Sequence, residues 1–217
     1  MNKIKIILAD DHVVVRRGLR YLIDSEADMI VIGEVGDGLQ LLDSVEKLRP
    51  DVVLVDIKMP ILNGIDAADE IRRRFPGTHT VILSMHSDYA YVERAMQAGV
   101  CGYVMKEEDI WEMCTAIRHA AQGNRYLSAR VTQEIPGSFS ESDTHPDTML
   151  LLTLRERQVL QLVAEGRTNG AVAKILGISV RTVEGHRAKL MAKLNMKTPV
   201  DLVHYALKHG IYIEQEQ

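Results

Sequence analysis

Cysteine and long apolar runs are both scarce in this sequence. Only Cys101 and Cys114 occur, in segments that favour a buried strand and an amphipathic helix, so a disulfide framework is not indicated and a reducing compartment fits. No apolar stretch approaches the ~18 residues of a membrane-spanning helix. The run over residues 4–9 is too short for a signal-peptide core and ends in two acids. These absences predict a cytoplasmic protein without a membrane partner.

The charge of the chain is unevenly distributed. The 217 residues are 46% hydrophobic and 26% charged, with a net charge of -4, which is typical of a globular protein. Residues 1–127 contain 15 Lys and Arg against 20 Asp and Glu, whereas residues 151–217 contain 10 against 6. A basic C-terminal third on an acidic chain indicates a polyanionic partner.

Apolar runs and amphipathic segments alternate through the first 127 residues. Short apolar runs predict five strands, at residues 4–9, 29–35, 52–55, 80–83 and 101–104. Amphipathic segments predict helices at residues 12–25, 38–48, 64–75, 88–98 and 107–122. Strand and helix alternating five times predicts a doubly wound α/β domain with a five-stranded parallel sheet.

The pattern changes after this α/β segment. Residues 128–150 are polar and have no apolar period, which predicts a flexible linker. Residues 151–217 have only helical periodicity, which opens with Thr153 and Glu156 in the spacing of a capping box. Further short helices are predicted at residues 169–176, 180–195 and 199–208. This part should therefore form a small all-α domain.

Polar side chains stand where the predicted strands end. The strands run into Asp10 and Asp11, Asp56, Ser84, and Lys106. Because parallel strands bring their carboxyl ends to one edge of a sheet, these groups should converge there. Clustered carboxylates repel one another unless a cation holds them, and an all-oxygen cluster suits Mg²⁺. One carboxylate would then be free to attack phosphorus, while Lys106 and Ser84 contact phosphoryl oxygens.

Each of these residues also has a purely structural explanation. Asp56 could cap a turn, Asp10 could be a helix N-cap, and Asp11 could be a first-turn acid. Ser84 could be a turn hydroxyl and Lys106 a solvated charge. Their occurrence together, in order, favours a reactive site.

Taken as an ordered set, these motifs resemble the receiver domain of response regulators. The matching pieces are Ala9-Asp10-Asp11-His12, Asp56-Ile57-Lys58-Met59-Pro60 followed by Asn63-Gly64, Leu83-Ser84, and Gly102-Tyr103-Val104-Met105-Lys106. The resemblance implies a flavodoxin-like domain over residues 1–127, in which Asp56 accepts a phosphoryl group from a sensor histidine kinase.

The same resemblance implies roles for the surrounding residues. Asp11, Asp56 and the backbone carbonyl of Lys58 would coordinate Mg²⁺ or Mn²⁺ directly, and Asp10 would act through water. Ser84 and Tyr103 take the switch positions, where the hydroxyl moves onto the phosphoryl group and the ring turns inward. A buried core aromatic with a wet hydroxyl is the alternative for Tyr103.

The C-terminal third contains a helix, a tight turn and a second helix with a basic bias, the arrangement by which a recognition helix enters the DNA major groove. Residues 152–160, 173–184, 186–187 and 193–194 resemble the LuxR-type helix-turn-helix domain. Together, the two resemblances indicate a NarL/FixJ-type transcription factor. They imply that phosphorylation releases or dimerises the DNA-binding domain, which then binds two-fold related sites in double-stranded DNA as a homodimer.

The second helix of this motif supplies the predicted DNA contacts. Its cations are candidates for phosphate contacts, with solvated side chains as the alternative. By position in the motif, the residues that would face base edges are Glu184, Gly185 and Ala188. Of these three, only Glu184 has a side chain that can accept a hydrogen bond, for example from a cytosine amino group. The predicted set is Arg181, Thr182, Glu184, Gly185, Arg187, Ala188, Lys189 and Lys193.

Two further faces of the helical part are predicted from spacing. Val180, Val183, Leu190 and Leu194 recur at helical spacing and should face the core. The last helix resembles the family's dimer helix, although a core face explains its apolar residues equally well: Val200, Val203, Ala206 and Leu207.

The sequence departs from the family pattern at residues 168–171. Thr168 is followed three residues later by Ala171, where the family commonly has Glu, and Gly170 adds flexibility to its helix. Gly185 in the second helix costs ~1 kcal/mol of helix propensity against Ala, so either a close backbone approach compensates this cost or the helix is weaker. We therefore expect a DNA-binding domain with less stable helices.

Two alternatives to a phosphorylation-switched regulator remain. One is an Asp-nucleophile phosphohydrolase, and the other is a regulator whose receiver is a scaffold that acts without phosphate. The phosphohydrolase would normally have a second acid where this chain has Lys58.

Overall fold

The protein folds as two compact units. A computed structural model describes residues 3–134 and 152–211, and the chain divides into Met1–Ser138 and Phe139–Gln217. Within the described ranges, no helix combines the length and apolarity that crossing a membrane requires. Cys101 and Cys114 carry free thiols, as the sequence predicts.

The first unit is built on a parallel sheet. Its strands are β1 (Ile4–Ala9), β2 (Met29–Val35), β3 (Val52–Asp56), β4 (His79–Ser84), β5 (Gly102–Met105) and β6 (Tyr126–Leu127), in the order β2-β1-β3-β4-β5-β6. The first five confirm the predicted α/β fold, with no strand end shifted by more than one residue, and β6 adds a sixth strand to the five that were predicted. The strand order reverses between β1 and β3, and in such sheets ligands typically bind at this point, beyond the carboxyl ends of the strands.

Five helices cover this sheet: α1 (Val13–Asp24), α2 (Gly38–Leu48), α3 (Gly64–Arg74), α4 (Tyr89–Gln97) and α5 (Ile110–Ala121). Every residue of β3 is buried, which explains its unbroken apolar run, because helices shield both faces of such a strand. One core cluster joins Ile6, Leu54 and Val104 of the sheet to Ile117 of α5.

The first unit continues beyond the predicted domain end. β6 pairs with β5, and α6 (Ala129–Glu134) follows it, with Val131 and Ser128 fully buried. The prediction that the linker begins at residue 128 is therefore corrected. A two-residue strand and a six-residue helix are too short to show a periodic pattern. The rest of the predicted linker, residues 135–150, lies outside the described residues.

Within residues 152–211, the second unit contains four helices, as predicted: α7 (Leu154–Ala164), α8 (Asn169–Leu176), α9 (Val180–Lys193) and α10 (Pro199–Lys208). The predicted capping box of Thr153 and Glu156 is present. Thr168 caps α8 through the N–H of Ala171 at 3.2 Å, so the missing Glu does not remove the cap.

The buried face of α9 differs from its prediction at one residue. Val183, Leu190 and Leu194 are buried as expected, whereas Val180 is 44% exposed. Because each residue turns the helix by about 100°, Val180 lies about 60° around the axis from Val183. Its assignment to the core is therefore wrong.

Candidate functional site

The predicted acidic residues lie together at the carboxyl edge of the sheet. β1 and β3 are neighbours in register, so Asp10, which follows β1, and Asp56, the last residue of β3, lie at the ends of adjacent strands. Both are buried, with exposures of 3% and 5%. The possible ligand atoms of Asp10, Asp11, His12 and Asp56 all lie within 4.8 Å of one another. The site therefore contains the three predicted carboxylates and also the imidazole of His12, which is not among the predicted site residues.

The Lys106 ammonium lies between two of these carboxylates. Its Nζ is 2.7 Å from Asp10 Oδ2 and 2.8 Å from Asp56 Oδ2. The side chain comes from the residue after β5 and is 13% exposed. Buried charges of this kind are stable only when they are paired, so Lys106 compensates the two buried acids.

Asp10 and Asp11 differ in how their carboxylates are engaged. Asp10 Oδ1 accepts the backbone N–H of His12 at 2.7 Å, while its Oδ2 contacts Lys106. Asp11 is 37% exposed and lies 2.8 Å from the His12 Nδ1. Asp10 thus has both oxygens engaged within the protein, whereas the carboxylate of Asp11 is open to solvent.

The environment of Asp56 opposes its ionisation. Burial is the main cause and raises the pKa of Asp56 to about 6, while Lys106 acts in the opposite direction. The nearby Asp10 raises this pKa further, and the Lys58 backbone N–H lowers it. A divalent cation beside these acids would favour the ionised form, so cation binding and ionisation of Asp56 should be coupled.

We expect Asp56 to titrate near pH 6 in metal-free protein and at lower pH with Mg²⁺. Its pKa is raised above 3.8 in the folded state, so its contribution to stability is fully present below pH 3.8 and is lost as the pH rises through about 6. The ¹³C carboxyl resonance of Asp56, assigned by comparison with Asp56→Asn, measures the inflection. An inflection below pH 4 without metal would contradict the role of burial.

The two predicted switch residues meet at His86. Ser84 is 1% exposed, and its Oγ accepts the His86 backbone N–H at 2.9 Å. Tyr103 is fully buried, and its hydroxyl donates to the His86 carbonyl oxygen at 2.6 Å. Burial raises the pKa of Tyr103 well above its ordinary value. The loop between β4 and α4 is thus attached to both residues through its backbone.

A polar chain connects the loop after Asp56 to α4. Asn63 caps α3 and donates from Nδ2 to Asp66 Oδ2 at 2.7 Å. Asp66 Oδ1 accepts from Arg94 of α4 at 2.8 Å, and the side chains of this pair are only 3% and 10% exposed. Neither Asp66 nor Arg94 is among the site residues predicted from the sequence. The signal that could have found Arg94 is a charge beside the apolar positions Val92 and Ala95.

The structure divides the predicted DNA-contacting residues of α9 into two groups. Lys193 Nζ pairs with Glu156 Oε2 at 2.7 Å, and Arg187 Nη1 contacts Asn169 Oδ1 at 2.5 Å. Both cations therefore have partners within the second unit. The remaining members of the set are exposed: Arg181, Thr182, Glu184, Gly185, Ala188 and Lys189.

The predicted dimer helix α10 has one buried residue among its four candidates. Val200 is 59% exposed and Leu207 is 37% exposed, whereas Ala206 is fully buried. Val203 is partly exposed. Residues 200, 203 and 207 share one helical face, and Ala206 lies beside it with the core residues. The assignment of Ala206 to a dimer surface is therefore corrected.

Comparisons with known proteins match both units. Residues 6–118 match the family model described as response regulator receiver domain, and residues 150–206 match the bacterial regulatory proteins of the luxR family. These matches cover the acidic site and the exposed face of α9. They also account for the helical unit, which an Asp-nucleophile phosphohydrolase would not.

Full-length relatives share the same organisation. The oxygen regulatory protein NreC of Staphylococcus epidermidis is 35% identical, over 94% of this chain and 97% of the relative. The transcriptional regulatory protein MctR of Rhizobium johnstonii is 37% identical, over 96% and 95%. A solved complex of the two-component response regulator RcsB with DNA is 26% identical, with a TM-score of 0.61 over 96% of this chain and 99% of that chain. This chain belongs to the two-component response regulators that join a receiver domain to a LuxR-type helix-turn-helix DNA-binding domain.

Proposed function

We propose that Asp56 is the phosphoryl acceptor of this regulator and that a sensor histidine kinase is the donor. The observation that carries the proposal is the convergence of Asp10, Asp11, Asp56 and Lys106 at the reversal of strand order. A carboxylate oxygen of Asp56 bonds to phosphorus as the bond from phosphorus to the donor imidazole nitrogen breaks. The imidazole keeps that electron pair, and the product is an acyl phosphate on Asp56.

The donor set fits a hard divalent cation. Carboxylate oxygens suit Mg²⁺ or Mn²⁺, and the open carboxylate of Asp11 with that of Asp56 would supply direct ligands, alongside the Lys58 carbonyl. A bound cation would neutralise charge on the phosphoryl oxygens. Asp10, whose oxygens are already engaged, would act through water. Lys106 is within reach of Asp56 Oδ2 and would move to a phosphoryl oxygen.

Phosphorylation would act on the rest of the chain through the loop at His86 and through α4. A phosphoryl group that draws the Ser84 hydroxyl toward itself competes with the bond from the His86 N–H. Since Tyr103 holds the same residue, the loop and α4 would shift together. This is a population shift between two states of the receiver surface, and we propose that the active state dimerises or releases the DNA-binding domain.

The direct test is phosphorylation by a small acyl phosphate. Full-length protein is incubated with acetyl phosphate and Mg²⁺, and intact mass is followed with time. We expect one phosphoryl group per chain and a loss of labelling when Mg²⁺ is chelated. Unlabelled protein would overturn the proposed chemistry, and label without altered DNA binding would indicate an uncoupled scaffold receiver.

We further propose that the exposed face of α9 enters the DNA major groove and that the exposed face of α10 pairs two copies. On α9, Arg181 and Lys189 are exposed cations suited to phosphate, and Glu184 is the one side chain toward the bases that accepts a hydrogen bond. On α10, Val200, Val203 and Leu207 would contact the same residues of a second copy. The paired recognition helices would then bind two-fold related half-sites.

We expect Arg181→Ala and Lys189→Ala each to weaken DNA binding several-fold and to reduce the slope of log affinity against log salt by about one. Each cation neutralises a phosphate and releases counterions. Fluorescence anisotropy with a two-fold related site at several salt concentrations measures both effects. Lys208→Ala, an exposed cation on α10, is the matched control and should leave the slope unchanged.

Lys193→Ala should behave differently from these two substitutions. Because Lys193 is paired with Glu156, its loss should lower the stability of the second unit more than it changes the salt slope. The proposed phosphate contacts of Arg181 and Lys189 would be excluded if both alanine variants gave the same slope of log affinity against log salt as Lys208→Ala.

A further inference from the structure

Arg16 of α1 contacts the backbone of the acidic site. Its Nη1 donates a hydrogen bond to the backbone carbonyl oxygen of Asp10. Its Nε lies 3.4 Å from Glu34 Oε2 on β2, and the Arg16 side chain is 15% exposed. The guanidinium therefore joins α1, the end of β1 and β2, although Arg16 itself is not a candidate ligand.

This contact acts on the peptide that leads into Asp11. The Asp10 N–H donates to the Val35 carbonyl at 3.2 Å, which holds one side of Asp10 to β2. β1 ends at Ala9, so the Asp10 carbonyl lies beyond the strand ladder. A charge-assisted bond from Arg16 supplies a donor at this position. The orientation of the peptide between Asp10 and Asp11 is thereby set, and with it the direction in which the Asp11 side chain leaves the backbone.

We propose that Arg16 is a positioning residue for the divalent cation, acting through the Asp10 carbonyl on Asp11. The inference rests on the proposed function, in which Asp11 and Asp56 hold that cation. Preorganised ligands bind a metal more tightly than mobile ones, since less freedom is lost on binding. Residues that orient ligands from behind typically change metal affinity by about 10- to 100-fold when they are replaced.

Positioning and simple electrostatics predict opposite signs for the loss of Arg16. A guanidinium next to the site repels a divalent cation, so its removal would tighten binding if charge alone mattered. If Arg16 orients Asp11, its removal weakens binding. The sign of the change in affinity therefore separates the two explanations.

Arg20 offers a matched control on the same helix. It also pairs with Glu34, at 2.6 Å, and with Asp24, at 3.4 Å. Replacing either arginine by Met removes one positive charge and one Glu34 partner from α1. The hydrogen bond to the Asp10 carbonyl belongs to Arg16, so Arg16→Met tests that bond and Arg20→Met tests the rest.

The experiment is a titration of full-length, unphosphorylated protein with Mn²⁺, followed by the electron paramagnetic resonance signal of the free ion. We expect Arg16→Met to raise the Mn²⁺ dissociation constant about tenfold and Arg20→Met to leave it within about twofold of wild type. Arg16→Lys keeps the positive charge and places a hydrogen-bond donor on a shorter side chain, so its Mn²⁺ dissociation constant should be intermediate. Thermal unfolding of each variant without metal shows that the compared proteins are folded.

Two results would overturn the inference. Mn²⁺ binding by Arg16→Met at wild-type or higher affinity would show that the Asp10 contact does not position the site. An equal loss of affinity in Arg20→Met would assign the effect to Glu34, the partner that both arginines share. If Arg16→Met does not fold, weaker Mn²⁺ binding by Arg16→Lys beside an unchanged Arg20→Met supports the positioning role, and wild-type or tighter binding by Arg16→Lys opposes it. A wild-type protein that binds no Mn²⁺ contradicts the proposed function itself.

Discussion

Asp56→Asn is expected to abolish phosphorylation, the largest functional effect of any single substitution in the first unit. The amide has the size of the carboxylate but lacks its nucleophilic oxygen, so no acyl phosphate can form. The variant keeps an acceptor for Lys106, which remains paired with Asp10, and should therefore fold. Intact mass after incubation with acetyl phosphate and Mg²⁺ measures the effect, together with DNA retention before and after the incubation.

Asp43→Asn is the matched control for this substitution. Asp43 is exposed on α2, and its substitution makes the same change of one carboxylate to an amide. The Asp43→Asn protein should therefore be phosphorylated like wild type. If Asp56→Asn still gains one phosphoryl group at the wild-type rate, the acceptor is another residue. In that case peptide mapping of the labelled protein would identify it.

Gly64→Ala is expected to destabilise the first unit by about 3 kcal/mol, the upper end of the usual cost of overpacking. A Cβ on Gly64 would lie 2.1 Å from the Asp56 carbonyl oxygen and 2.9 Å from its carbon. Backbone cannot rotate away as a side chain can, so either α3 or the end of β3 must move. Because the Gly64 N–H also donates to the Ile57 carbonyl at 3.0 Å, the displacement reaches the loop after Asp56.

Gly18→Ala makes the same chemical change, but it is expected to have the opposite effect on the stability of the first unit. Gly18 lies within α1, and among the described residues a Cβ there meets no atom within 4 Å. Its replacement should stabilise the helix by about 0.5 to 1 kcal/mol. Urea unfolding followed by the fluorescence of Trp111, the single tryptophan of the chain, reports on the first unit. Equal midpoints for the two variants would contradict the close approach of α3 to Asp56.

Prediction from the sequence succeeded where a pattern repeats or a motif is contiguous. The apolar run before Asp56 predicts a strand covered on both faces, and β3 is buried throughout. The spacing of Thr153 and Glu156 predicts a capping box, which is formed. In both cases the residues that determine the local structure are neighbours in the chain, so the sequence pattern is sufficient to predict it.

Prediction failed where the partners are distant in sequence or the element is short. Arg94 and Asp66 are 28 residues apart, and Lys193 and Glu156 are 37 apart, so no local spacing links them. Lys193 looks like its exposed neighbour Lys189 in the sequence, yet the packing of α7 against α9 gives it a carboxylate partner. β6 and α6 are stabilised by pairing with β5 and by burial, not by their own periodicity.

The sequence by itself determined the alternation of strands and helices and the presence of Asp10, Asp11, Asp56 and Lys106 at strand ends. The parallel order of the sheet then brings those ends to one edge, because ladder hydrogen bonding fixes neighbouring strands in register. Only the tertiary structure decided how the groups are engaged. It placed both oxygens of Asp10 in bonds, left Asp11 open, raised the pKa of Asp56 by burial, and set Arg16 behind the Asp10 carbonyl. Such contacts depend on distances and exposure across the fold, which follow from packing and not from the order of residues along the chain.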